Sequence, residues 1–178
     1  MLDDPIRYGL LAALAIALVI AASTDLKSRR IANWLNLSIA AGAPVFWWAS
    51  GLSLWPDIAI QLGLAFATFA VLSVLFALKA MGGGDVKLLT ALALWIAPQP
   101  YLQLLIMMAL LGGVLTLAFG AWHVMRRQKD RIAIPYGVAI ALAGLWVIGT
   151  AYAPASAAVS AASATPANTA TTANQIPQ

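Results

Sequence analysis

The chain has 178 residues, of which 62% are hydrophobic and only 9% charged, with no cysteine and a formal net charge of +4. A soluble domain of this size needs far more charged surface, so the composition points to an integral membrane protein. The absence of thiols excludes a disulfide framework and a cysteine-ligated zinc site, and a charge so small and scattered does not fit nucleic acid as a partner.

A helix crossing about 30 Å of hydrocarbon needs about 20 apolar residues. The first apolar run covers residues 8–24. The segment before it, MLDDPIRYG, carries two acids and one arginine. A secretory signal is positive there, so the run is expected to be a retained helix. The second run, 34–50, contains Pro44, which a helix packed among others can tolerate. The third is 58–78. The fourth begins after Asp85 and stops at Pro98, so it is short. It must recruit the glycines before it, tilt, or sit in a locally thin bilayer. The fifth and sixth runs are 101–122 and 132–152. The expectation is an all-α polytopic membrane protein with about six transmembrane helices over residues 1–152. From 153 to 178 the chain is rich in Ala, Ser, Thr and Pro and has no charge, a composition expected to form a disordered tail.

The basic residues orient the bundle. Lys27, Arg29 and Arg30 follow the first run, Lys79 and Lys87 flank the glycines before the fourth, and Arg126, Arg127, Lys129 and Arg131 precede the sixth. The loops between the second and third runs and between the fourth and fifth have none. Basic loops stay in the cytoplasm, so both termini are expected on the other side of the membrane. Trp47, Trp48, Trp55 and Trp95 then fall near the outer interface, and Trp34 and Trp122 near the inner one, as aromatic belts do.

All six acidic residues are aspartates. Asp3, Asp4, Asp57 and Asp130 have ordinary surface readings. Asp25 ends the first run and Asp85 opens the fourth, at the same expected depth on the basic side. Asp85 could cap its helix, Asp25 could be a loop acid neutralised by Lys27 or Arg29, and Gly82, Gly83 and Gly84 could be a hinge. The alternative is a carboxylate pair around one water, in which one acid keeps its proton while the other accepts one. Glycine beside one acid would let a substrate backbone lie close. An ionisable group at the membrane margin is a site hypothesis by default. A small proton-coupled transporter subunit using the same two acids is the competing reading, although transporters more often hold such groups near the midplane.

Three segments resemble a known family. GGGD at 82–85 is similar to the GxGD motif of membrane aspartyl proteases, and MGGGDVKLLTALALW around it resembles the second catalytic segment of type IV prepilin peptidases. DLKSRRIANWLN at 25–36 resembles their first segment, with Ala32 where the family usually has proline. IPYGVAIALAG at 134–144 is similar to the opening of their last helix. The resemblance implies that Asp25 and Asp85 are the catalytic pair of an aspartic endopeptidase needing no cofactor or metal. It also implies a membrane-anchored precursor pilin or pseudopilin as partner, cut at the cytoplasmic face of the inner membrane after a short basic leader. The small size looks most like the short branch serving Flp/Tad pilus assembly. Gly82, Gly83, Gly84, Lys87, Asn33, Pro135 and Gly137 are the candidates for shaping the site. Of these, Lys87 is read first as a snorkelling side chain and Asn33, with Asn36, as a cap of the second helix. His123 is read as interfacial, and Gly112 and Gly113 as points of close helix packing.

Overall fold

The computed structural model describes residues 5–126 and 136–152, with side chains for 5–117 and 136–152. Among them are six α-helices and no strand: α1 (Pro5–Ser28), α2 (Asn33–Ala49), α3 (Ala59–Ala77), α4 (Gly83–Ala93), α5 (Pro98–Arg126) and α6 (Tyr136–Ala151). A helical turn, Leu54–Ile58, leads into α3. The apolar runs set these boundaries to within a few residues. Pro5 opens α1, where a proline's missing amide costs nothing. Pro44 lies inside α2 without ending it.

Three segments are long and apolar enough to cross a membrane: Pro5–Ser28, Leu54–Ala77 and Pro98–Leu117. Tyr136–Ala151 is a shorter apolar helix. The chain is an all-helical polytopic membrane protein. Without a solvent-driven hydrophobic effect between helices, packing of small residues does much of the assembly. α6 shows this. It lies between α1 and α5 and buries Gly137, Ala139, Ala141, Ala143 and Gly144. A methyl group on Gly144 would come within 2.8 Å of Leu18 in α1, and one on Gly112 in α5 would come within 2.8 Å of Tyr136 in α6. Gly113 faces open space, so only the first glycine of that pair serves packing.

α4 is the centre. It has 11 residues, about 16 Å at 1.5 Å per residue, far short of a bilayer. Of the three ways to accommodate the short fourth run, the chain recruits Gly83 and Gly84 into the helix and then encloses it. α2, α3 and α6 all pack on α4, and Leu88, Leu89, Leu92 and Ala93 are fully buried. A helix ending inside a membrane protein leaves carbonyls that water cannot reach. Other elements supply donors. Trp47 Nε1 in α2 and Gln61 Nε2 in α3 both donate to the Leu94 carbonyl, at 2.7 and 3.1 Å. The Tyr101 hydroxyl donates to the Leu89 carbonyl at 3.1 Å. Trp95, expected at the outer interface, is instead buried. Its ring stacks on Phe46 and its Nε1 donates to the Ile39 carbonyl at 2.7 Å. The stack on Phe46 and the bond to α2 together outweigh the interface preference of one indole. Trp48 and Trp55 are exposed, as an interfacial belt requires.

Candidate active site

The two singled-out aspartates line one cavity of about 330 Å³, at the end of the bundle that carries Arg29 and Arg30. Its walls also include Ile31, Asn33, Gly82, Gly83 and Gly84. Residues 25 and 85, 60 positions apart in the sequence, are thus brought together by the packing of α2 on α1 and on α4.

Asp25 is not a loop acid. It sits in the last turn of α1 and is only 6% exposed. Its carboxylate is held from across the bundle: the Gly137 amide, in the first turn of α6, donates to Oδ2 at 2.8 Å. First-turn amides have no intrahelical acceptor, and the helix dipole favours an anion there. The approach requires glycine. A Cβ at position 137 would lie 2.8 Å from Asp25 Oδ2, 2.9 Å from Cγ and 3.0 Å from Cβ. α1 then ends in a tight reversal. Arg29 takes a left-handed conformation (φ 52°), and its amide donates to the Asp25 carbonyl at 2.8 Å. The turn puts Arg29 and Arg30 on the cavity wall and feeds the chain into α2.

Asp85 is not the cap of its helix. Gly82 holds that position, and Asp85 lies in the first turn, its amide bonded to the Gly82 carbonyl at 3.1 Å. The carboxylate folds back against Gly82, where an added Cβ would meet Oδ2 at 2.8 Å. Gly83 abuts Phe76, and Gly84 abuts Ile31, which seals the wall between the two acids' helices. The glycines are therefore contact points of the site and not a hinge.

Neither asparagine caps α2. Ala32 occupies the cap position without a side-chain bond. Asn33 lines the cavity and accepts a hydrogen bond from Lys87 Nζ at 2.9 Å, so Lys87 braces a wall residue across from α4 and does not itself line the cavity. Asn36 is buried and its Nδ2 reaches the Gly84 carbonyl at 3.5 Å. Sequence reasoning left Ile31 and the two arginines out of the site, and Asn36 out of its surroundings, where it contacts the wall residue Gly84. The signal available for Asn36 was its spacing of three from Asn33, which puts both on one helix face. Pro135 and the tail from 153 lie outside the described residues, as do the side chains of Trp122 and His123.

Residues 12–117 match a family model described as the type IV leader peptidase family. That span contains both aspartates, the glycines, Asn33 and Lys87, and stops before Gly137. No curated protein and no solved structure matches the chain.

Proposed function

The chain belongs to the type IV leader peptidase family, and on that premise we propose that it is an aspartic endopeptidase that removes the basic leader of a membrane-anchored precursor pilin or pseudopilin. The observation that carries the reading is the meeting of Asp25 and Asp85 in one cavity. Two carboxyl groups around one water do not both ionise readily, so the pair holds one proton. The ionised acid takes a proton from water as the water oxygen bonds to the peptide carbonyl carbon. The protonated acid gives its proton to the carbonyl oxygen, leaving a gem-diol. Collapse of the diol reforms C=O and breaks the C–N bond. The proton acquired in the first step goes to the leaving nitrogen, and a diol proton returns to the other acid. Asp25 Oδ2 accepts the Gly137 amide, which fixes the orientation of its carboxyl group.

The arginine-bearing end holds Lys27, Arg29, Arg30, Lys79 and Lys87. The positive-inside rule supports this end facing the cytoplasm of the inner membrane, with cleavage at that face and both ends of the six-helix region on the other side. Family membership and the position of both acids at one end of the bundle support a peptidase over the proton-carrying transporter. The test is co-expression with a precursor pilin followed by mass measurement of the pilin's N-terminus. Wild type should release the leader, and Asp25→Asn and Asp85→Asn should each leave the precursor intact while still inserting in the membrane. Full processing by either variant overturns the proposal.

A further inference from the structure

Beside the cavity runs a groove of about 380 Å³ between α2 and α3, with α4 as its floor. Leu37 and Ala40 form one wall, Phe69 the other, and Ala91 and Leu94 the base. From Lys87 to Leu94 it follows two turns of α4, about 10 Å at the helical rise, away from the charged end. Asn33 lines both the groove and the cavity, so the two adjoin at that residue. A second groove of similar size, about 370 Å³, lies between α3 and α5, but it shares no lining residue with the cavity.

One residue lining the first groove carries an unexplained polar atom. Asn36, 5% exposed, lines it, and its Oδ1 is buried with no hydrogen-bond partner. The amide cannot be turned to cure this, because its Nδ2 faces the Gly84 carbonyl and a flip would set two oxygens against each other. A buried, unpaired acceptor in an apolar groove costs free energy unless a donor arrives. A spanning helix that begins beside a scissile bond supplies such a donor, since its first-turn amides have no intrahelical acceptor.

We infer that the α2–α3 groove seats the apolar helix of the substrate, with Asn36 Oδ1 accepting a first-turn backbone N–H, so that the scissile bond lies in the cavity shared by Asp25 and Asp85. The assignment rests on the peptidase reading. Small Ala40 and Ala91 let a helix backbone approach closely, and Leu37 and Phe69, 71% and 49% exposed, are free to close over it. Asn36 acts here as a positioning residue.

The chain has no cysteine of its own, which makes site-specific cross-linking direct. Single cysteines are placed at Leu37 or Ala40, and for comparison at Ala67 or Leu102 in the α3–α5 groove, all in the full chain carrying Asp85→Asn. The probe is a precursor with a basic leader, about 20 apolar residues and one cysteine within two turns after the cleavage site. Cross-linking should favour the α2–α3 positions by at least about tenfold over the others. With Asp85 intact, Ala40→Trp should lower kcat/KM for the precursor at least about tenfold and Ala67→Trp should leave it unchanged. Asn36→Leu should raise KM with little change in kcat, the mark of lost ground-state binding. Equal cross-linking at both grooves, as a lipid-filled surface would give, overturns the groove assignment, and so does unimpaired cleavage by Ala40→Trp. If the wild-type protein leaves the precursor uncut, the peptidase reading itself falls and takes the groove with it. If wild type cuts but the cross-links do not discriminate, only the groove falls.

Discussion

The last turn of α1 and the first turn of α4 each deliver an aspartate to the same cavity, and they do so by opposite means. Asp25 comes from a helix long enough to span the membrane, is almost wholly buried, and is tied by its carboxylate to the distant α6. Asp85 comes from an 11-residue helix held inside the bundle, is only half-buried, and leans on a glycine of its own turn. One acid is fixed by tertiary structure and the other by local chain geometry. In the proposed pair, one partner is thus anchored across the bundle and the other within its own turn, a division sequence motifs do not reveal.

The largest effects should come from removing either acid's chemistry. Asp25→Asn and Asp85→Asn are isosteric and should each cut the cleavage rate by at least about 10³-fold, because members of a catalytic unit fail together; mass spectrometry of the pilin N-terminus over time reads this. Disturbing the seats should separate the two acids. Gly137→Ala thrusts a methyl group at Asp25 with three atoms at 3.0 Å or less, and Asp25 cannot move without losing its amide. Cleavage should fall about 10²-fold, as displacements of an ångström cause. Gly82→Ala meets only the end of the Asp85 carboxylate, which can rotate, so the loss should be about tenfold. Equal effects of the two glycine changes, measured as kcat, would erase the contrast.

Stability should show the same asymmetry at smaller scale. Asp25→Ala strands the Gly137 amide and should cost about 1–3 kcal/mol in detergent unfolding. Asp85→Ala strands no long-range partner and should stay within about 0.5 kcal/mol. Smaller than the Asp25 effect as well, Gln61→Leu should cost less than about 1 kcal/mol, since Trp47 still donates to the Leu94 carbonyl.

How much of this was legible beforehand follows from the same contrast. The helices were readable because membrane spans announce themselves by run length, and the Asp85 turn was readable because its determinants, GGGD, are adjacent in the chain. Gly137 was singled out by its motif but not by its partner, because nothing local links residues 25 and 137. The enclosure of α4 was not legible. It depends on Trp47, Gln61 and Tyr101 each finding one particular carbonyl, and an apolar run carries no record of which backbone groups its neighbours satisfy. Trp95 and the two asparagines were misread for the same reason: interface and capping preferences are averages, and a specific partner from another helix, the Ile39 carbonyl, Lys87 or the Gly84 carbonyl, outweighs them.

The central claim is that Asp25 and Asp85 act as one unit. Its most direct test is a double-mutant comparison of precursor cleavage by Asp25→Asn, Asp85→Asn and the doubly substituted protein at equal membrane levels. The account predicts the same residual rate for all three, since losing one acid already disables the pair. A double variant slower than either single by the product of their separate losses would mean two independent contributions and would contradict it.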